Sequence, residues 1–211
     1  SMCSFDALGA FSRRVESPGA ACRPFDANRD GLIPSGGAAA VVLERYDLAR
    51  QRGAKILGKV ISYGFSSDGE HISNPNNDGL RSAMQKALAA AELKPADIDY
   101  ISAHATSTPV GDSIEAQSIS DVFGSKTPWV SSFKSMTGHE LWMSGASSVV
   151  YSVTMAREGF IARNLNFELP DADSEKLNIV TETIHQSPET VLCNSAGFGG
   201  TNACLIIRFD E

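Results

Sequence analysis

The sequence predicts an α/β fold built on a mixed, largely parallel sheet with helices on its faces. Three observations carry that expectation. Short apolar segments alternate with segments of helical period along most of the chain. The alternation closes with two apolar strands joined by the glycine-rich turn Gly197-Phe198-Gly199-Gly200. No repeat and no long linker interrupts the 211 residues, and strands that alternate with helices feed a parallel sheet.

The elements follow in order. Phe5 to Arg14 reads as a short amphipathic helix. The stretch after it carries Pro18, Pro24 and Asp26-Ala27-Asn28-Arg29-Asp30-Gly31, residues that supply turns. Ala38 to Glu44 is apolar and partly β-branched, and reads as a buried strand. Tyr46 to Arg52 reads as a helix ended by Gly53. Lys55 to Phe65 reads as a strand, and the polar stretch Ser66 to Asn77 as a surface loop. Asp78 to Leu93 is the strongest helix, with Leu80, Met84, Ala87, Leu88 and Ala91 on one face and Asp78 as its N-cap. Ile98 to Ala103 is a strand running into His104. Asp112 to Phe123 is a helix, with Asp112 and Glu115 spaced as in a capping box. Trp129 to Ser132 is a strand, Leu141 to Glu158 a long helix, and Thr190 to Ser195 and Ala203 to Phe209 the closing strands. The chain reads as one domain with an N-terminal extension that packs elsewhere.

Composition narrows the function. A hydrophobic fraction of 42% with 20% charged residues is that of a globular domain, not a disordered one. Net charge is −7 with scattered basic residues, which gives no nucleic-acid footprint. An acidic carrier remains a possible partner, since a local basic patch does not need a basic protein. Cys3, Cys22, Cys193 and Cys204 form no CxxC pair and have no histidine at zinc-ligand spacing, so no metal site is expected. Cys193 and Cys204 read as small buried residues, and a reduced, cytoplasmic compartment is the expectation. No apolar run approaches the roughly 18 residues of a membrane helix. Ser1-Met2-Cys3-Ser4-Phe5 lacks a basic start and an apolar stretch, so it is not read as a signal peptide. Ser1-Met2 reads as an expression scar ahead of a chain taken from a longer protein.

Four clusters can carry chemistry. His104-Ala105-Thr106-Ser107-Thr108-Pro109 follows a strand, and ligands bind at the carboxyl ends of strands in α/β sheets. Alone, it fits a loop histidine satisfied by its neighbours equally well. Ser131-Ser132-Phe133-Lys134-Ser135-Met136-Thr137-Gly138-His139 follows another strand and opens a helix. An imidazole there has its pKa lowered, and neutral imidazole can donate to a developing oxyanion. Alone, this cluster also fits a solvated lysine and a capping histidine. Asn194-Ser195-Ala196-Gly197-Phe198-Gly199-Gly200-Thr201-Asn202 permits close backbone approach but is no phosphate loop. Asp112 and Glu115 read as a helix cap, not as a general acid/base pair.

Taken in order, HATSTPVGDSIEAQ, SSFKSMTGH and NSAGFGGTNA resemble the three C-terminal signatures of the β-ketoacyl-acyl carrier protein synthases I and II. CRPFDANRDG and YGFSSDGEHISNP resemble stretches upstream of them, while DALGAFS and LNIVTET look closer to the bacterial type I enzymes. The resemblance implies a thiolase-like fold of two similar halves in five layers, of which this chain is the second half. Residues 1–36 would then belong to the first half and its connection, and residues 37–211 to the C-terminal domain. It also implies a two-stage reaction without a cofactor. An acyl group passes from acyl carrier protein to a cysteine. Malonyl-carrier protein is then decarboxylated, and its carbanion attacks the acyl thioester. By the same resemblance, His104 and His139 hold the malonyl thioester oxygen, Lys134 orients and supports His139, and Glu115 is a structural acid near the lysine. Thr106 and Thr108 meet the phosphopantetheine arm, with Ala196 and Phe198 also at the substrate. The implied assembly is a homodimer that binds acyl carrier protein, with no nucleic acid and no membrane.

Three departures from the family pattern matter. The nucleophilic cysteine has no counterpart among the four cysteines and belongs upstream of Ser1. Ala196 stands where a phenylalanine usually gates the acyl pocket. Glu140-Leu141-Trp142-Met143 replaces a small-residue start to the helix after His139, and Ala105 replaces a glycine. The alternative from another class is a non-condensing chain-length factor or scaffold subunit. His104, Lys134 and His139 argue against it, since a scaffold needs none of them. An unrelated α/β binding module leaves the ordered motif set unexplained.

Overall fold

The closing hairpin is the spine of the sheet. In the computed structural model, which describes residues 2–69 and 75–209, six strands form one sheet. They are β1 (Lys59–Ser67), β2 (Tyr100–Ser102), β3 (Trp129–Ser131), β4 (Asn178–Ile179), β5 (Thr190–Gly197) and β6 (Thr201–Arg208). Their order is β1-β6-β5-β2-β3-β4. β1, β6 and β5 pair antiparallel, whereas β5, β2, β3 and β4 run parallel. The mixed α/β sheet is thus the one expected. β4, only two residues long, was not foreseen.

Alternation along the strands sorts the core into two layers. Leu192, Cys204 and Ile206 point to one face, where they meet Leu80, Ala83, Met84 and Ala87. These come from α3 (Asn77–Ala90), which packs on β1 and β6 and against α4 (Pro109–Phe123). Contact is close because Gly64 of β1 lies under the α3 backbone, where a Cβ would come 2.0 Å from the Ala83 carbonyl oxygen. Val191, Cys193 and Ile207 point to the other face, with Tyr100, Met155 and Ile161. There α6 (Ser144–Glu158) covers β5. The far part of that face is open: Tyr63 and Phe65 of β1 are 57% and 47% exposed.

Several boundaries differ from the sequence expectation for identifiable reasons. The first helix, α1, spans Met2–Ala7 and not Phe5 to Arg14. Gly9 at φ +64° ends it, with Ala10 N–H donating to the Phe5 carbonyl and Gly9 N–H to that of Asp6, a Schellman arrangement. Ala38 to Glu44 is not a buried strand: it pairs with no strand among the described residues, and Val42 is 90% exposed. Apolar, β-branched composition makes a strand only beside a partner edge. Helix α2 (Tyr46–Gln51) follows as expected. α3 is capped by Asn76, whose side chain accepts from Gly79 N–H at 2.8 Å, not by Asp78, which pairs with Arg81 in the first turn. Of the expected loop from Ser66 to Asn77, Ser66 and Ser67 belong to β1 and Asn77 opens α3, while residues 70–74 lie outside the described residues. α4 begins one turn early at Pro109, a favourable first helical residue. The helix after His139 opens with a 3-10 turn, Leu141–Met143, before α6.

The N-terminal stretch does not pack elsewhere. Phe25 is fully buried in the α3 and α4 layer. Arg23, Asp26 and Leu32 are buried as well.

Candidate active site

The loop after β2 is held by two carboxylates, and this corrects their reading as a helix cap. Asp112 and Glu115 lie three residues apart on one face of α4. Glu115 accepts the backbone N–H groups of His104 (2.9 Å) and Ala105 (2.6 Å). Asp112 accepts those of Thr106 (2.9 Å), Ser107 (3.1 Å) and Phe25 (2.9 Å). The loop's consecutive N–H groups therefore end on one helix, and Ser107 sits at φ +70°. From the other side, Gly31 N–H donates to the Ser107 carbonyl and Arg29 to that of Thr108. Burial raises both carboxyls, Asp112 to about 6, against the hydrogen bonds that favour their ionised forms.

The loop after β3 turns through α5 (Lys134–Thr137) to His139. Gly138, at φ +73°, passes the Ile33 carbonyl, which a Cβ would approach to 2.8 Å. A bridge then fixes the histidine backbone: His139 N–H donates to Ile33, and Ser35 N–H donates to His139. The His139 ring is fixed too. Leu141 N–H donates to its Nδ1 at 3.2 Å, and Ser144 Oγ lies 3.2 Å from the same atom. An Nδ1 that accepts a backbone N–H leaves the proton on Nε2.

The structure brings His104 and His139 together, ring centroids 5.6 Å apart and edge to face at 87°. Both are held neutral. Burial first, then the Lys134 charge, pushes His139 down to about 3. Burial, Lys134 and His139 push His104 well below its ordinary value. Burial, not a helix terminus, is thus the leading cause. His104 Nδ1 is buried and has no hydrogen-bond partner among the described residues.

Lys134 is buried and does not line the cleft; it sits behind the histidines. Burial lowers its pKa, opposed by Glu115, Glu140, Asp112 and Cys22. Cys22, which the sequence left without a role, donates its Sγ–H to the Lys134 carbonyl at 2.8 Å. Burial pushes that thiol up to about 12, which leaves it a poor nucleophile. Cys193 and Cys204 are buried as expected.

A cleft of about 780 Å³ opens over the histidines, lined also by Thr106, Thr108, Ala196 and Phe198. The two threonine hydroxyls are 3.0 Å apart. Ala196 is the last residue but one of β5, and Phe198 is half-exposed, its ring 4.9 Å from that of Phe5. The sequence missed Phe5 and also Asp68, whose N–H donates to Gly200 and whose carboxylate accepts from Asn202 at 2.6 Å. Asp68 lies in YGFSSDG and Phe5 directly precedes DALGAFS, stretches visible as motifs without a position. Trp142 also lines the cleft and is 83% exposed. Among the described residues, no group of His, Cys, Asp and Glu is placed to hold a metal ion. None of their helices is long and apolar enough to cross a membrane.

The chain is similar to known proteins in sequence and in fold. The family model described as "Beta-ketoacyl synthase, C-terminal domain" matches residues 57–168, and the corresponding N-terminal domain matches residues 1–49. The 3-oxoacyl-[acyl-carrier-protein] synthase 1 of Haemophilus influenzae is 47% identical over 97% of this chain and 50% of its own length. Its Escherichia coli (strain K12) counterpart is 44% identical over 98% and 50%. The chain therefore spans about half the length of the curated relatives it matches. Among solved structures, a β-ketoacyl synthase from Burkholderia phymatum superposes with a TM-score of 0.96 at 38% identity, over 100% of this chain and 52% of that one. A type II polyketide ketosynthase in complex with its acyl-carrier protein and bound to the hexaketide gives 0.94 at 31%, over 100% and 53%.

Proposed function

The chain belongs to the β-ketoacyl synthase family, and we propose that it is the second half of a condensing enzyme that joins malonyl and acyl thioesters. One observation carries the reading: two neutral imidazoles 5.6 Å apart in a cleft, with a buried lysine behind them. In the reaction, the bond from the malonyl α-carbon to its carboxylate breaks, and carbon dioxide leaves. The electron pair delocalises into the thioester as an enolate. His139 Nε2–H, its tautomer set by Leu141, donates to the enolate oxygen, and His104 faces the same point. Neutral donors aimed at developing charge in a water-poor site need little reorganisation. The α-carbon then attacks the acyl thioester carbonyl, the new carbon–carbon bond forms, and the cysteine thiolate departs.

The reading places that cysteine outside this chain: Cys22, Cys193 and Cys204 are buried, with thiols raised by burial, and Cys3, exposed on α1, is not among the residues that line the cleft. Thr106 and Thr108, paired at the cleft, suit the amide and hydroxyl groups of a phosphopantetheine arm. Acyl carrier protein as the donor is supported by the ketosynthase solved with its own carrier. Ala196 presents a methyl group to the cleft, which leaves room for a bulky acyl chain. The open sheet face at Tyr63 and Phe65, and the exposed stretch around Val42, await the other half, in a full-length homodimer.

A second reading, a non-condensing chain-length factor, draws weight from Ala196 and from likeness to a ketosynthase/chain length factor structure (34% identity, TM-score 0.91). Intact mass of the full-length protein after exposure to acyl-loaded carrier, or to cerulenin, separates the two. The condensing role predicts one covalent adduct per chain, upstream of this segment. Folded protein without an adduct would favour the scaffold.

A further inference from the structure

Directly after His139, where the chain departs from the family pattern, stands a buried carboxylate with a receptor of its own. Glu140 accepts the Ser147 hydroxyl at 2.5 Å and the Tyr151 hydroxyl at 2.7 Å, both from α6 and one helical turn apart. The Tyr151 ring packs on Phe133, the residue before Lys134, at 4.7 Å. Leu141, next in the chain, is held at φ +58°, a backbone region that non-glycine residues seldom occupy. In that conformation its N–H reaches His139 Nδ1. Strain of this kind persists only where surrounding contacts over-determine it, and Glu140 supplies two of them.

We propose that Glu140 is a positioning residue for His139: tied to Ser147 and Tyr151, it fixes the turn that delivers Leu141 N–H to the imidazole and so keeps Nε2–H aimed into the cleft. Its catalytic consequence rests on the condensing role proposed above. The carboxylate also faces Lys134, whose other neighbours are Glu115 and Asp112 of α4, Cys22 of the N-terminal stretch, and the two imidazoles. Glu140 is therefore one of the charges that keep the lysine protonated.

The test uses the full-length protein with Glu140→Ala, Glu140→Gln and Tyr151→Phe. Glu140→Ala should lower kcat for malonyl decarboxylation by about tenfold or more with KM little changed, as expected when a reacting group is misplaced. Glu140→Gln keeps a hydrogen-bonding partner for each hydroxyl and should lose less. Both should move the alkaline limb of the pH–rate profile to lower pH, since both remove a negative charge facing Lys134. Tyr151→Phe, the variant least at risk of misfolding, keeps the charge and should lower kcat without moving that limb. A merely structural role would lower stability and still move the limb with the lost charge, but would leave the His139 tautomer unchanged. Nitrogen-15 spectra of labelled histidines give a readout that needs no turnover. Wild type should show His139 protonated at Nε2, and Glu140→Ala a mixture of tautomers. An unchanged tautomer in Glu140→Ala would overturn the proposal. Absence of decarboxylation in wild type would sink the condensing role instead, with the spectra still deciding the question of Glu140.

Discussion

The two histidine loops reach the same cleft by opposite means. His104 is placed through its backbone: consecutive N–H groups of its loop are taken up by Glu115 and Asp112, while its Nδ1 has no partner among the described residues. His139 is placed through its backbone and its ring, with Ile33, Ser35, Leu141 and Ser144 all in contact. A free Nδ1 leaves the tautomer of His104 open, whereas that of His139 is set by a backbone donor. The difference suggests a division of labour in which His139 is the committed donor and His104 adapts.

The largest expected effect falls on the His104 side. Glu115→Ala would strand the N–H groups of His104 and Ala105 and the Asn194 amide, and remove a countercharge of buried Lys134. Removing one member of a buried charged network costs about 3–5 kcal/mol. Urea unfolding of the full-length variant should show that loss. If the variant folds, a structure should show His104 displaced and His139 in place. Equal displacement of both histidines would break the comparison.

Acidification should come next. His139 titrates at about 3 in the fold against an ordinary value of 6.5. Below pH 6.5 the unfolded chain thus binds a proton that the native state refuses, and stability is lost as pH falls from 6.5 towards 3. Asp112, raised from 3.8 to about 6, acts the other way: its contribution favours the native state at low pH and fades as pH rises through that window. The two are separated by difference. Relative to wild type, His139→Asn should become less acid-sensitive between pH 6.5 and 3, measured by thermal melts across pH. A parallel pair of curves would mean that His139 is not held neutral.

How much of this was legible in the sequence depends on what kind of fact each feature is. The hairpin and α3 were plain because period and turn chemistry are local, and Leu80, Met84 and Leu88 bury the face their spacing marks. His104, His139, Thr106, Thr108 and the glycine-rich turn were recognisable as ordered motifs, and the structure gathers them around one cleft. Asp112 and Glu115 were misread because a D-x-x-E spacing at a helix start serves a cap and a loop anchor equally. Only the fold shows that the chain returns over that helix. The run at 38–44 failed for the reverse reason, since Val41, Val42 and Leu43 stay exposed among the described residues. Lys134 gave no local sign of burial, because two of its countercharges, Glu115 and Asp112, come from a distant helix.

The smallest effect sharpens the comparison most. Ser144→Ala removes one of the two groups at His139 Nδ1 and leaves Leu141 N–H in place. A single neutral hydrogen bond contributes about 1 kcal/mol, so folding should change little and the Nε2–H tautomer should persist. If the serine were the group that sets the ring, the tautomer would scramble and decarboxylation would fall with it. If the backbone donor sets it, nitrogen-15 spectra of the variant should match wild type. Ring placement would then be a property of the turn that Glu140 holds, and exchanging side chains that touch the imidazole would matter less than loosening that turn.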